Sequence, residues 1–233
     1  MARLARIVVP GSPHHVTQRG NRRERVFFGD DDYGLYRDLL AQACQKFGVA
    51  VWAYCLMPNH VHLILTPPDA FGLALAMART HRLYAGFVNA RARQTGHLFQ
   101  GRFGSVAMDE AHLMIAARYV ALNPVRARLA AKAEDWPWSS VRAHLLGCDD
   151  ALVSVRPLLE RAPRFADLIE GGGDEAGYAA LRGAETIGRP LGTADFVEAI
   201  ARRLGRSVMP RKRGRKPGAA KCVVGQGNTH LSP

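Results

Sequence analysis

The run Met57-Pro58-Asn59-His60-Val61-His62-Leu63-Ile64-Leu65 sets two imidazoles on either side of one valine, directly after a Pro-Asn turn and inside an apolar stretch. Strand side chains alternate faces with period two. His60, His62 and Ile64 therefore share one face, and Val61, Leu63 and Leu65 share the other. The Val/Leu face can bury itself in a core. The opposite face then carries two imidazoles side by side, spaced to grip one metal ion. Taken alone, the pair also admits zinc in an unrelated metalloenzyme, because imidazole suits zinc well.

A second constellation lies in Ala117-Arg118-Tyr119-Val120-Ala121-Leu122-Asn123-Pro124-Val125-Arg126. Tyr119 and Asn123 are four apart and project from one helix face. If that face lies over the His60/His62 face, the two imidazoles and the Asn123 side-chain oxygen would hold a divalent cation with open positions. Tyr119 would stand next to it as a nucleophile. This logic suits cleavage of a DNA phosphodiester, with the cation polarising the scissile phosphate and steadying the departing 3′ oxygen. A phenol, with a pKa of about 10, attacks poorly unless a cation or a base favours phenolate. Attack leaves the 5′ phosphate on tyrosine and frees a 3′-OH. The plainer alternatives are a core tyrosine at 119 and a helix-terminal asparagine before Pro124.

The elements that must position these groups can be read from periodicity. His14 to Gln18 reads as a first strand, followed by an Arg19-Gly20-Asn21-Arg22 turn. A helix over about Asp31–Phe47 has apolar positions at Leu35, Leu39, Leu40 and Ala43, acids at its start, and Gly48 after it. Val49–Met57 and His60–Thr66 form a hairpin across Pro58-Asn59. A second helix covers about Phe71–Arg93, and a fourth strand covers Leu98–Met108 with glycines that suggest bulges. A third helix runs from the Asp109 cap to about Asn123, where Pro124 disfavours further helix. The order β-α-β-β-α-β-α predicts an α+β, ferredoxin-like (RRM-like) antiparallel sheet with helices on one face. Residues 1–149 form this unit, with Trp136-Pro137-Trp138-Ser139-Ser140 locking its end to the core. Residues 150–205 read as a small C-terminal helical appendage, and 206–233 as a basic tail that should be disordered when unbound.

The formal net charge of +12 is concentrated at the two ends. No acid precedes Glu24, while Arg3, Arg6, Arg19, Arg22 and Arg23 do, and no acid follows Glu198. Such polarised charge points to a polyanion, with nucleic acid leading. Hydrophobic content of 48% with 22% charged residues describes a globular chain. No apolar run reaches the roughly 20 residues of a membrane span, and no signal-peptide core opens the chain, so a cytoplasmic, membrane-free protein is expected. The four cysteines form no Cys-x-x-Cys pair, which argues against a disulfide framework or zinc knuckle.

Several motifs together resemble the single-tyrosine HUH (IS200-like) transposase superfamily, and specifically the REP-associated tyrosine transposases of bacteria. They are Gln18-Arg19-Gly20-Asn21-Arg22, Met57 to His62, Gly96-His97-Leu98-Phe99-Gln100-Gly101-Arg102-Phe103, Arg118-Tyr119 to Arg126, and Trp136 to Ser140. The resemblance implies a nuclease that uses Mg²⁺ or Mn²⁺ and cuts single-stranded DNA beside an imperfect hairpin, as monomer or homodimer, in the bacterial nucleoid. It assigns the metal pair to His60 and His62, the nucleophile to Tyr119 and the third ligand to Asn123, where many relatives carry the longer Gln. Candidate DNA contacts are Arg19, Asn21, Arg22, Arg23, Arg102 and Arg126. In the tail they are Arg211, Lys212, Arg213, Arg215 and Lys216, a stretch that partly matches an AT-hook but suits phosphate contact better. Two rival functions are a catalytically silent hairpin-binding regulator and a hydrolase that uses water as nucleophile.

Overall fold

The computed structural model describes residues 6–171 and 174–208. Strands β1 (His14–Arg19), β2 (Ala50–Met57), β3 (His60–Thr66) and β4 (Gly104–Ala107) form one four-stranded antiparallel sheet in the order β2-β3-β1-β4. Helix α1 (Asp30–Lys46) joins β1 to β2, and α2 (Gly72–Ala92) joins β3 to β4. This is the ferredoxin-like connectivity that the sequence predicts. Then come α3 (Glu110–Arg126), α4 (Val141–Leu146), α5 (Arg156–Leu159), α6 (Phe165–Glu170), α7 (Glu175–Ile187) and α8 (Ala194–Leu204).

Period-two alternation divides the core in two. On one face Val16, Val51, Leu56, Val61, Leu63 and Leu65 pack against Tyr36 and Leu40 of α1 and Leu73, Met77 and Tyr84 of α2. On the other, Ala53, Cys55, Met57, Ile64 and Val106 lie under Leu113, Ala116, Ala117 and Val120 of α3. Each fully buried aliphatic side chain contributes about 1.5–3 kcal/mol. Leu158, Phe165, Tyr178, Leu181 and Ala184 belong to this second cluster as well. The helices after residue 150 thus share a core with α3 and the sheet. Helix α8 packs Ile200 with Ile7, Val9 and Ala107.

Three local expectations shift. The strand expected over Leu98–Met108 is regular only at Gly104–Ala107, because Gly101 takes a positive φ of 53° and breaks the pleat. Helix α3 does not stop at Asn123 but carries Pro124 inside it and ends at Arg126. Only one N–H is lost there, and the Ala127 and Leu129 amides still donate to the Asn123 and Pro124 carbonyls. The Asp30-Asp31-Asp32 run supplies no side-chain cap. Asp32 is instead buried, accepting from the Phe28 amide and pairing with both Arg91 guanidinium nitrogens. The Trp-Pro-Trp segment does close on β2. Trp136 Nε1 donates to the Leu56 carbonyl, the Leu56 amide donates to the Trp138 carbonyl, and Trp138 stacks on Tyr33 at 4.9 Å.

The tail residues Arg211, Lys212, Arg213, Arg215 and Lys216 lie outside the described residues. Among the described residues no helix is long and apolar enough to cross a membrane.

Candidate active site

The sheet register places the site. Arg19 pairs with His60, Thr17 with His62 and His15 with Ile64 across β1 and β3. By alternation His15, Thr17 and Arg19 share the α3-facing side of the sheet with His60 and His62. His14, one residue away, points to the other side, and both of its ring nitrogens are occupied. Nδ1 lies 2.8 Å from the Ser12 carbonyl, and Nε2 accepts from the Val9 amide at 3.1 Å. It is a structural histidine.

The two predicted ligands are both held through Nδ1. His60 is half-buried, with Nδ1 2.5 Å from Asn59 Oδ1. Asn59 Nδ2 donates to the Arg23 carbonyl, which fixes the amide so that its oxygen faces His60. His62 is buried, with Nδ1 3.0 Å from His15 Nε2. His62 Nε2 is buried and has no hydrogen-bond partner. A buried lone pair of this kind costs free energy unless something binds it, so the imidazole pair fits a cation. Burial, with Arg19 nearby, lowers His60 to about 4. Burial and the neighbouring His60, His15 and Arg19 push His62 well below its ordinary value. Both rings are therefore neutral and able to ligate at pH 7.

Tyr119 comes from α3 and meets His62 and His15. It is 8% exposed, its ring is edge-on to His62 at 5.4 Å, and it is edge-on to His15 at 6.2 Å. Burial and Glu185 raise its pKa, while the Arg182 and Arg126 guanidinium groups oppose that rise. Asn123, one turn further along α3, is 8% exposed, and its Nδ2 is buried without a partner.

The carboxylate that joins the histidines comes from α7. Ligand atoms of His15, His62 and Glu185 all lie within 4.8 Å of one another. Burial raises Glu185 to about 7, against the lowering effect of Arg19 and Arg182. His15, Arg182 and Glu185 were missed at the sequence level. The adjacent His14-His15 pair was the only available signal, and nothing in α7 marks Arg182 or Glu185.

The basic residues divide into groups. Arg19, Arg23 and Arg102 line a cleft of about 430 Å³ together with His60, Thr17, Gln100 and Glu185. Asn21 and Arg22 face a neighbouring groove of about 760 Å³, with Arg25, Phe28 and Arg91. Arg22 and Arg23 have left-handed backbone, φ 52° and 66°. A Cβ at the adjacent Gly20 would collide with the Glu24 carbonyl, so this turn is tightly constrained. Arg126 is engaged elsewhere, paired with Glu175 at 2.5 Å and stacked over Tyr178 at 4.7 Å.

Comparison with known proteins bears on this geometry. A family profile described as "Transposase IS200 like" matches residues 9–123. A Haemophilus influenzae protein named "Putative REP-associated tyrosine transposase" is 26% identical over 117 residues, 45% of this chain and 66% of that one. A solved REP-associated tyrosine transposase bound to a REP hairpin superposes with a TM-score of 0.55 at 18% identity, over 66% of this chain and 92% of the other. That superposition shows a common fold.

Proposed function

The chain belongs to the IS200-like transposase family, and from that premise we propose that it is a metal-dependent single-stranded DNA endonuclease and strand transferase. It acts beside a DNA hairpin and forms a 5′-phosphotyrosine intermediate. The observation that carries the reading is the edge-on placement of the buried Tyr119 phenol against His62, whose Nε2 is unpartnered.

His60 and His62 would hold Mg²⁺ or Mn²⁺, with Asn123 supplying oxygen. When bound, the ion polarises the scissile phosphate and stabilises the departing oxygen. The chain's own groups do the rest. The positive charge of Arg182 favours phenolate at Tyr119, which attacks phosphorus. Burial around the phenol excludes competing water. Arg19, Arg23 and Arg102 border the cleft and would steer the strand backbone past His60, while Asn21 and Arg22 reach the adjoining groove. The phosphotyrosine bond conserves the energy of the cut linkage, so a 3′-OH can rejoin it without a nucleotide cofactor.

The partner is single-stranded DNA carrying an imperfect hairpin; the structural relative is described as bound to a REP hairpin. A labelled hairpin with a single-stranded flank, incubated with the protein and Mn²⁺ and run on a denaturing gel, tests the reading. A covalent protein–DNA band that disappears with EDTA is expected. A free 5′-phosphate without adduct would make the protein a hydrolase, and an uncut strand would make it a binder.

A further inference from the structure

His15 and His62 lie on adjacent strands with rings parallel within 8° and centroids 5.2 Å apart. Their facing nitrogens, His15 Nε2 and His62 Nδ1, are 3.0 Å apart. The far nitrogen of His15, Nδ1, lies 3.4 Å from Glu185 Oε1, a charge contact in which neither atom makes a hydrogen bond. Both rings are buried, at 0% and 2% exposure. A neutral imidazole has one N–H and one lone pair, so this row of groups permits only two proton arrangements. A carboxylate at Glu185 favours a proton on the ring nitrogen that faces it, which puts the His15 proton on Nδ1. His15 Nε2 is then a lone pair, and His62 Nδ1 must be the donor. That leaves His62 Nε2 bare, and this buried nitrogen has no protein hydrogen-bond partner. His60 reaches the same state by a shorter route, through the Asn59 amide oxygen on its Nδ1.

We propose that Glu185, through its charge contact with His15, and His15, through its hydrogen bond to His62, form a relay that fixes His62 as the Nδ1–H tautomer and so reserves its Nε2 for the cation. Both are positioning residues, and Glu185 is supplied by α7, outside the matched family segment. The inference rests on the reading of His62 as a metal ligand. Metal-ligating histidines commonly depend on such an outer partner, whose loss costs about 10–100-fold in affinity. The opposite proton arrangement would place N–H on His62 Nε2 and block ligation.

The decisive measurement is a long-range ¹H–¹⁵N spectrum of the full chain labelled at histidine rings, metal-free, at pH 8, with signals assigned by single substitution. His15 and His62 are expected with protonated Nδ1 and bare Nε2. A proton on His62 Nε2 overturns the relay, whatever the metal does. Mn²⁺ titration followed by electron paramagnetic resonance supplies the second readout. His15→Leu should weaken binding about 10–100-fold, and His15→Gln, whose amide oxygen can accept in place of Nε2, should recover most of it. Should His15→Leu fail to fold, Glu185→Leu at its partly exposed position carries the same test, with Glu185→Gln staying near wild type. Glu185→Gln as harmful as Glu185→Leu would make Glu185 a direct ligand and overturn the relay, as would unchanged affinity in both leucine variants. A wild-type protein that binds no Mn²⁺ overturns the metal reading, and the spectrum still decides the tautomer.

Discussion

The Tyr119 ring stands perpendicular to the His62 imidazole, with planes at 88° and centroids 5.4 Å apart. The contact joins the last secondary element of the IS200-like segment to the centre of the sheet. Under the proposed function, Tyr119→Phe keeps this packing and removes only the hydroxyl. The covalent adduct should be lost completely, while the hairpin Kd stays within about threefold, or roughly 0.65 kcal/mol. An adduct that survives in the Phe variant would assign the nucleophile elsewhere.

The Arg182 guanidinium holds back the rise in the Tyr119 pKa that burial and Glu185 cause. Removing it should raise that pKa further. An interaction with a charged group is worth about 1.5–3 kcal/mol, so Arg182→Ala should slow single-turnover cleavage about 10–100-fold at neutral pH. The rate should recover as pH is raised, because alkali restores phenolate. A uniform loss across the pH profile would mean that Arg182 binds DNA rather than tuning the phenol.

Acid should destabilise the metal-free protein in a defined window. Burial lowers His14 to about 4 and His15 to about 3, and places His62 well below its usual value. In the unfolded chain all three take up protons near 6.5. The unfolded state then binds more protons than the folded one, so stability is full above about pH 6.5 and falls as pH drops toward 4. Each histidine contributes up to about 1.4 kcal/mol per pH unit. Glu185, raised to about 7, acts in the opposite sense and offsets one histidine's share. Thermal melts from pH 8 to 4 should show a plateau and then a steep decline, and a flat Tm down to pH 5 would contradict it.

Arg22 and Arg23 occupy left-handed backbone in the turn after β1. For a side chain with a Cβ this costs about 1–2 kcal/mol. Arg23→Gly should therefore raise stability by about 1 kcal/mol. It should also weaken single-stranded DNA binding and reduce the slope of log K against log salt by about 0.7. A destabilised Arg23→Gly variant with an unchanged slope would leave Arg23 a structural residue only.

The sheet and the His60/His62 pair are legible in the sequence because strand alternation is a local rule. Its two-residue period places those imidazoles opposite Val61, Leu63 and Leu65 without knowledge of any neighbour. Tyr119 and Asn123 are legible for the same reason, through the helical repeat. The end of α3 is not. Pro124 reads as a stop, but one missing N–H in a last turn is tolerated when the turn is packed on the core. His15 is hidden because its role depends on which strand lies beside β3, a non-local pairing. Arg182 and Glu185 are harder still to read, since α7 looks like any amphipathic helix until it is seen against α3 and β4.

Glu185 and Arg182 both ride on α7, which follows the nucleophile by several intervening helices. A chimera that borrowed only residues 9–123 of this chain would inherit the imidazole pair and the phenol without the guanidinium and the carboxylate above them. For this protein the smallest heritable unit of the proposed chemistry extends to Ile187, and homologous exchange at a boundary short of it would strip apolar cover from α3 and leave the reaction centre unfinished.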